Sequence, residues 1–235
     1  MSRARQVLMF TADLVILTIR DGALCLLVVE RGNEPFLGRF ALPGGFLRGD
    51  ESIEQTAARE LSEETGVDAA TLYLQQVGVY SRPDRDPRRP RVVTCAHLAI
   101  APDLPLPSAG SDARTARWLP IAEVRTLADG LAFDHDEILR DALELARAEL
   151  QFRTIATAFC PPEFTISDLR EVYERVWGVE LDRSNFHRKV TEAEGFVIAT
   201  GRRRATVNGR PAALFRAGDA ATLTPPMMRP RPAAS

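Results

Sequence analysis

Residues 45–67 read GFLRGDESIEQTAARELSEETGV, and this stretch decides which fold the chain can adopt. Seven charged or glycine residues and two apolar residues stand in it at fixed distances from one another. These nine positions are Gly45, Glu51, Arg59, Glu60, Leu61, Glu63, Glu64, Gly66 and Val67. Because each residue type makes up about 5–10% of a typical chain, chance agreement at all of them is rarer than about one in a million. The pattern therefore indicates a specific motif.

Three glutamates of this stretch share one side of a predicted helix. At about 100° per residue, Glu60, Glu63 and Glu64 fall within an arc of about 100°. Like charges at these spacings repel each other by roughly a few tenths of a kcal/mol per pair. A hard dication such as Mg²⁺ would relieve the repulsion, since it combines a few carboxylates with phosphate oxygens. The alternative is a solvated acidic helix face without a metal.

The stretch fits the signature of the Nudix hydrolases, which cut nucleoside diphosphates linked to another group, and the chain resembles that family. The resemblance implies that Glu60 and Glu64 are the main metal ligands, assisted by Glu63 and the Gly45 carbonyl. It also implies catalytic roles for Glu63, Glu64 and Arg59. The implied metal is Mg²⁺, with Mn²⁺ as an alternative.

The sequence around this motif predicts a mixed sheet between helices. Near-continuous apolar runs, which predict strands, occupy residues 14–20, 23–31, 73–80 and 91–100. Asp21-Gly22 joins the first two runs and is typical of tight hairpin turns. From Asp134 onward, apolar residues recur at helical spacing. Strands and helices in this order favour an α/β fold, a Nudix α/β/α sandwich with a mixed sheet, over residues 1–150.

The segment after Tyr80, SRPDRDPRRP, is too rich in proline and charge for regular structure. Guanidinium groups in this segment could clamp a pyrophosphate. The predicted effector-binding residues are Arg82, Arg85 and Arg88. The alternative is a solvated loop of salt-bridged arginines. Many Nudix proteins place another acid or base outside the signature, and the candidates here, which no spacing distinguishes, are Asp112, Glu123, Asp129 and Asp134.

A second unit is predicted over residues 154–217. Thr165, with Asp168 three positions later, can cap one helix, and Asp182 can cap a second. The segments FVIAT and AALFR predict two strands around the basic loop GRRRATVNGRP. Helix, turn, helix and hairpin in this order are typical of a winged helix-turn-helix. The remaining residues, 218–235, are rich in proline and predict a disordered tail.

The second helix of this unit has a polar face opposite an apolar stripe. Phe186, Val190 and Ala193 lie within about 60° of one another and should be buried. The opposite face and the basic loop carry groups that can meet phosphates and base edges of DNA. The predicted DNA-binding residues are Ser184, Asn185, His187, Arg188, Lys189, Arg202, Arg203, Arg204 and Arg210. The alternative is a set of solvated surface charges.

Motifs in both units resemble the Nudix-related transcriptional regulators of the NrtR family. FTISDLREVYERVWGVELDRSNFHRKV followed by GRPAALFR is similar to their winged-helix domain. FLGRFALPGGF, RPDRDPR and AFDHDEIL are similar to their Nudix domain, so the resemblance covers about residues 10–217. It implies a homodimer that binds an inverted repeat in promoters of NAD-synthesis genes. It also implies that ADP-ribose, or a related NAD derivative, enters the Nudix domain and releases the double-stranded DNA.

Three functions are compatible with these motifs. The leading hypothesis is a transcriptional regulator, a repressor of NAD-metabolism genes with ADP-ribose as effector. The second is an active Mg²⁺-dependent ADP-ribose pyrophosphatase, since the signature is intact where many of these regulators have an eroded one. The third is a hydrolase of nucleic-acid substrates, and the absence of a series of aromatic residues near the basic helix disfavours it.

Composition limits which other classes of protein the chain could belong to. The 235 residues are 45% hydrophobic and 26% charged, enough for one or two packed domains. Residues 1–150 carry 17 basic and 23 acidic side chains, whereas residues 151–235 carry 13 and 9, which suggests domains with different partners. No apolar run approaches the roughly 20 residues of a membrane span. The three cysteines are widely spaced and suggest neither disulfides nor zinc. We therefore expect a cytoplasmic protein that contacts no membrane.

Overall fold

A computed structural model describes residues 7–88, 90–102, 113–206 and 209–230. The chain divides into two compact units. The first comprises Met1–Leu17, Cys25–Ile100 and Leu104–Ala142, and the second comprises Thr18–Leu24, Ala101–Asp103 and Leu143–Ser235. In the described part of the chain, no helix has the length and apolar character that a bilayer crossing requires.

The described residues form nine strands and five α-helices. The strands are β1 (Leu8–Arg20), β2 (Ala23–Arg31), β3 (Phe40–Ala41), β4 (Gly44–Phe46), β5 (Tyr73–Tyr80), β6 (Arg91–Ile100), β7 (Ala113–Pro120), β8 (Val197–Thr206) and β9 (Gly209–Ala217). The helices are α1 (Ile53–Thr65), α2 (Ile121–Val124), α3 (His135–Phe152), α4 (Ile166–Trp177) and α5 (Arg183–Glu192). Short 3₁₀ helices cover Ala69–Thr71 and Ile155–Phe159.

A seven-stranded mixed sheet contains the strands that the apolar runs predict. Its strand order is β3-β2-β1-β6-β5, with β4 paired to β1 and β7 paired to β2. β1 and β6 are parallel, and the other registered pairs are antiparallel. Asp21 and Gly22 both have left-handed φ angles, of 48° and 71°, as a tight hairpin turn between β1 and β2 requires. The predicted α/β class with a mixed sheet is confirmed.

Helix α1 begins and ends where its sequence dictates. Ser52 accepts a hydrogen bond from the Gln55 backbone, and the Gln55 side chain bonds back to the Ser52 amide. Gly66 ends the helix in the left-handed conformation, with φ of 70°. Ala57 and Leu61 are fully buried on one side of the helix. The helix therefore has a fixed register, and this register decides where its glutamates lie.

The second unit contains the predicted winged helix-turn-helix. A capping box of Thr165 and Asp168 starts α4, and Gly178 ends it with φ of 69°. Asp182 caps α5 through the Asn185 amide. Phe186 is buried on α5, and its ring meets that of Tyr173 at 5.3 Å in an edge-on arrangement. The two helices are thus fixed by their caps and by aromatic packing.

The basic segment that the sequence predicts as a loop is instead a strand. Residues 201–206 continue β8, and Arg203 and Arg204 pair with Ala213 and Ala212 of β9. Pairing with β9 gives hydrogen-bond partners to backbone N–H and C=O groups, which in a free loop would bond to water. The register shifts between Ala199 and Arg203, so the strand is irregular near its middle. The wing is therefore a longer hairpin than predicted.

Residues 218–230 also differ from the predicted disordered tail. Leu223 and Met227 are each 6% exposed. The Leu223 amide donates to the Phe152 carbonyl and the Met227 amide donates to the Gln151 carbonyl, each at 2.8 Å. Proline-rich composition predicts disorder because such chains bury little apolar surface. In this segment, however, the Leu223 and Met227 side chains are buried in the second unit. Residues 231–235 lie outside the described part of the chain.

Candidate functional site

A cleft of about 460 Å³ lies in the first unit, within the range typical of small-molecule sites. The C-terminal half of α1 contributes Glu60, Glu63 and Glu64 to its wall. The other walls come from β1, the end of β2 and the segment that follows it, β4, the segment 85–88 and the residues that precede and begin α3. Five of the nine signature residues therefore line one cavity, namely Gly45, Arg59, Glu60, Glu63 and Glu64.

Close approach of Glu60 to the backbone explains the glycine at position 45. A Cβ atom on Gly45 would lie 1.9 Å from Glu60 Oε1, so the Glu60 carboxylate would have to move away from β4. At Gly44, a Cβ atom would lie 2.3 Å from the Ala12 carbonyl oxygen. The two glycines thus let β4 and the α1 carboxylates come together at the cleft.

The Glu64 carboxyl of the cleft is strongly perturbed by its surroundings. It is 9% exposed, and its buried Oε2 has no hydrogen-bond partner. Burial, together with the nearby charges of Glu60 and Glu63, raises the pKa of Glu64 to about 7. A buried, unpartnered carboxylate is costly unless a cation or proton meets it. The site is therefore incomplete without a positive charge.

Arg59 ties the signature together. Its Nε donates to Glu51 Oε1 at 2.6 Å, and its Nη2 donates to Glu51 Oε2 at 3.1 Å and to the Phe46 carbonyl at 3.3 Å. The Arg59 hydrogen bonds lower the pKa of Glu51 to about 2. Nη1 of the same guanidinium lies 2.5 Å from Glu60. Arg59 thereby links the loop before α1 to the carboxylates on α1.

A divalent metal fits the chemistry of these donors. In the described part of the chain, no three Asp, Glu, His or Cys side chains already stand in a metal-binding arrangement. The unpartnered Oε2 of Glu64 and the mutual repulsion of three carboxylates nevertheless suit a hard, oxygen-preferring dication. Arg59 Nη1 donates to Glu60 Oε1 at 2.5 Å, so a metal held by Glu60 would have to replace that contact.

Arg85 has a different environment from the one the sequence predicts. Its side chain is 3% exposed, and it donates to both Asp134 oxygens at 2.8 and 2.9 Å and to Asp13 at 3.2 Å. The Arg85 guanidinium, which the sequence predicts as part of a pyrophosphate clamp, therefore already binds two buried carboxylates. Arg82 is not among the residues that line the cleft, and its exposed side chain pairs with Glu137 at 2.8 Å. Arg85 and Arg88 both line the cleft.

The acid candidates outside the signature are not equivalent. Asp134 is buried against Arg85, whereas Glu123 and Asp129 do not line the cleft. Asp112 lies outside the described residues. None of the three candidates that the structure describes presents a free carboxylate to the cleft.

Sequence reasoning missed Asp13 and His135, which both line the cleft. The Leu42 amide donates to His135 Nδ1 at 2.9 Å, and His135 Nε2 lies 3.6 Å from Asp13. Burial opposes ionisation of Asp13, but His135 and Arg85 hold its pKa below the usual value. A carboxylate directly before the apolar run LVILTIR is the signal that could have identified Asp13.

The polar face of α5 is open to solvent. Ser184, Asn185, His187 and Arg188 are exposed, and Lys189 is half-buried. Arg188 donates to Asn185 Oδ1 at 2.9 Å and to Glu192 at 3.0 Å, so its guanidinium is held over the helix surface. The opposite side buries Phe186, Val190 and Ala193, as the apolar stripe predicts.

The wing arginines are exposed but have acidic or backbone partners. Arg202 pairs with Glu163 at 3.1 Å, and Arg204 contacts both oxygens of Asp168 at 2.8 and 2.5 Å. Arg203 donates to the Pro211 carbonyl at 2.9 Å. The side chain of Arg210 lies outside the described residues. Each of these three arginines therefore has its own partner within the second unit.

The fold and the two sites define a class of protein, a Nudix domain followed by a winged-helix domain. The NUDIX domain model matches residues 9–142, and the model of the NrtR DNA-binding winged helix domain matches residues 156–217. The chain belongs to the NrtR family of Nudix proteins. The resemblance predicted from the motifs is confirmed.

Similar proteins cover most of the chain. The ADPR responsive transcriptional repressor NtrR of Acinetobacter baylyi is 30% identical over 88% of this chain and 81% of its own. The crystal structure of Shewanella oneidensis NrtR complexed with a 27mer DNA aligns with a TM-score of 0.76, at 31% identity over 88% and 93% of the two chains. The NUDIX domain of that Shewanella protein complexed with ADP ribose aligns with a TM-score of 0.52, at 35% identity over 61% and 91%.

Proposed function

We propose that this chain is a DNA-binding transcriptional repressor whose Nudix domain binds ADP-ribose as its effector. The observation that carries the proposal is the exposed polar face of α5, with Ser184 and Arg188 in solvent, in a chain that also holds a nucleotide-sized cleft. The similarity to a DNA-bound NrtR and to an ADPR responsive repressor supports it. The proposed target genes are those of NAD metabolism.

The proposed DNA interface consists of one helix and one hairpin. A helix of this type enters the major groove with its polar side chains against base edges, while a wing contacts phosphates or the minor groove. The helix contributes Ser184, Asn185, His187, Arg188 and Lys189, and the hairpin contributes Arg202, Arg203, Arg204 and Arg210. We expect a homodimer on an inverted repeat, because two-fold proteins read two-fold sites.

The charge of the cleft favours a metal ion beside the proposed effector. Five arginines and seven acidic residues line the cleft, so it is acidic before a diphosphate enters. Magnesium is the proposed ion, held by Glu60, Glu63, Glu64 and the Gly45 carbonyl. When bound, a divalent ion neutralises carboxylates, polarises a phosphate and lowers the pKa of a water. Arg88, at the cleft wall, is the proposed guanidinium partner of the ligand.

Fluorescence anisotropy tests the proposal directly. A labelled promoter fragment with an inverted repeat is titrated with the protein, with and without saturating ADP-ribose and Mg²⁺. We expect specific binding that weakens in ADP-ribose, because a ligand shifts only an equilibrium whose states it distinguishes. A scrambled fragment is the control. Undiminished binding to the repeat in saturating ADP-ribose would remove the effector from the proposal.

A second candidate function is hydrolysis of ADP-ribose. The observation that favours it is the buried Glu64 Oε2 without a partner, in a signature that keeps Glu51, Arg59, Glu60 and Glu63. Addition of water across the diphosphate would give AMP and ribose 5-phosphate. The test is product formation with Mg²⁺ and its loss in Glu64→Gln, on the same preparation that is used for DNA binding.

A further inference from the structure

Another cavity, the α5–β9 groove, lies in the second unit between α4, α5 and β9 and has a volume of about 180 Å³. Sites that enclose a whole small molecule are larger, roughly 300–1,000 Å³. The groove therefore suits a single chemical group of a larger ligand. The residues that line it include Ser167, Arg170, Arg183, Phe186, His187 and Phe215.

The charge of the α5–β9 groove is positive. In the part of the chain that the structure describes, two arginines line it and no acidic side chain does. The cleft of the first unit, by contrast, is lined by seven acidic residues. Opposite charges attract most strongly where no like charge offsets them, so the groove favours an anionic group.

Arg183, the first residue of α5, carries a charge that no carboxylate offsets. It is exposed, and it forms no ion pair with any acidic side chain among the described residues. Other arginines of the proposed DNA interface differ, since Arg188 pairs with Glu192 and Arg204 pairs with Asp168. Arg183 can therefore bind an anion without first breaking an ion pair.

Arg170 brings a second guanidinium to the groove. Its Nε atom is buried without a hydrogen-bond partner and lies 3.6 Å from Oε1 of Glu174. That oxygen already accepts a hydrogen bond from the Leu181 amide at 2.9 Å. The contact between Arg170 and Glu174 is therefore long, and the guanidinium keeps donors for a second anion such as a phosphate.

The groove lies beside the face of α5 that is proposed to read bases. Arg183 and His187 precede Ser184 and Arg188 by one residue each, so they lie about 100° round the helix from that face. The wall across from α5 belongs to β9, which is part of the wing hairpin. In B-DNA, a sugar-phosphate strand separates the major groove from the minor groove. A helix in one DNA groove and a wing at the next must hold that strand between them.

We propose that the α5–β9 groove seats one phosphate of this DNA strand, with Arg183 and Arg170 as its cationic donors. The inference rests on the proposed DNA binding, and it adds contacts that lie outside the predicted interface. The phosphate oxygens accept hydrogen bonds from the two guanidinium groups, and the exposed Ser167 offers a hydroxyl group. A phosphate carries no sequence information, so these contacts position α5 on the duplex without reading bases.

The salt dependence of DNA binding tests this proposal. Anisotropy of the labelled inverted repeat and of the scrambled fragment is followed with the full-length protein over a range of NaCl concentrations. In Arg183→Ala we expect both fragments to bind more weakly by a similar factor, about tenfold or more, because a charge-assisted hydrogen bond is lost. The slope of log K against log salt should become shallower by about one unit per subunit. Arg183→Lys keeps the charge and should restore the slope.

Arg216→Ala is the matched control for the loss of one positive charge. Arg216 is also exposed in the second unit and has no acidic partner among the described residues, but it does not line the groove. We expect its affinity for both fragments to stay within about twofold of wild type, with an unchanged slope.

The fragments and variants separate the outcomes. An unchanged slope in Arg183→Ala, or equal changes in Arg183→Ala and Arg216→Ala, would overturn the phosphate seat alone. Weaker binding to the inverted repeat but not to the scrambled fragment would also overturn it, because Arg183 would then read a base. Absence of binding to both fragments by the wild-type protein would instead overturn the proposed function. Arg183 is exposed, so its replacement does not threaten the fold.

Discussion

At the scale of single residues, Glu64 shows how a buried charge links the cleft to stability. The pKa of Glu64 is about 7, above the usual value of 4.5. The folded state is therefore stabilised by the neutral carboxyl at low pH, and this stabilisation is lost as the pH rises through 7. Ionised Glu64 therefore destabilises the metal-free protein. This is the cost that a bound cation would remove.

The first prediction is that Glu64→Gln stabilises the metal-free protein at pH 8. In EDTA, the melting temperature of the variant should exceed that of wild type by about 2–4 °C for each kcal/mol of destabilisation that ionised Glu64 causes. This difference in melting temperature should shrink towards pH 5. Differential scanning calorimetry measures it. Added Mg²⁺ should raise the melting temperature of the wild type more than that of the variant. A gap that is independent of pH would contradict the buried-charge account.

The second prediction concerns Arg85, which balances Asp13 and Asp134 in the interior. Arg85→Met should lower the free energy of unfolding by about 3–5 kcal/mol, because it takes the guanidinium partner away from two buried carboxylates. Urea denaturation measures the loss. Arg82→Met is the matched control from the same loop: its side chain is 60% exposed and pairs with Glu137, so we expect a loss under about 1 kcal/mol. Similar losses in both variants would refute a structural role for Arg85.

The third prediction concerns Arg188 on the exposed face of α5. Arg188→Ala should weaken binding to the specific repeat by about tenfold or more if the side chain reads a base. If it meets a phosphate, the salt dependence should instead fall by about one unit of slope. Arg175→Ala is the control, since Arg175 is also half-exposed on a helix and pairs with a glutamate four residues away. Unchanged operator affinity in Arg188→Ala would exclude the proposed interface.

At the scale of elements, the segment after β9 supports the second unit. Its backbone bonds to residues 151, 152 and 154, and it buries Leu223 and Met227. Arg229 Nη2 also donates to the Trp177 carbonyl at 3.2 Å, at the end of α4. The winged-helix family model ends at residue 217, so this support lies outside the matched domain.

The fourth prediction uses two adjacent methionines in that segment. Met227→Ala should lower the free energy of unfolding by about 2 kcal/mol or more, as truncation of a buried methionine does. Met228→Ala should change it little, because Met228 is 59% exposed. Urea denaturation of both full-length variants measures the difference. Indistinguishable midpoints would show that the segment does not support the fold.

Elements were predictable from sequence wherever local chemistry fixed them. The β1–β2 turn at Asp21-Gly22 and the caps of α1, α4 and α5 follow from residues within a few positions of one another. The basic part of β8 was not predictable in the same way. Its strand state depends on pairing with β9, and arginine-rich sequence has no strong preference for strands.

At the scale of the whole molecule, the proposed effector and the proposed substrate are the same compound. A repressor that also cuts ADP-ribose would consume its own signal. The duration of DNA release would then depend on hydrolysis at the carboxylate cluster of α1. Both proposed activities belong to one chain, so a single assay can follow them together.

The fifth prediction is that DNA release by ADP-ribose is transient in wild type and lasting in Glu64→Gln. With Mg²⁺ and a limited amount of ADP-ribose, anisotropy of the labelled repeat should fall and then recover as AMP accumulates. In Glu64→Gln it should fall and stay low. A fresh addition of ADP-ribose to recovered wild type is the control for protein loss. Lasting release in wild type without AMP would make the Nudix domain a sensor only.

The sequence alone determined the two domain types, the carboxylate helix and the polar face of α5. Each of these is encoded by spacing within a short stretch, so a helical or strand period reveals it. The tertiary structure decided which charges are buried and what lines the cleft. Arg85 meets partners 49 and 72 positions away, and His135 meets an amide 93 positions away. No local period encodes such pairings, because they exist only once the sheet and α3 bring distant segments together.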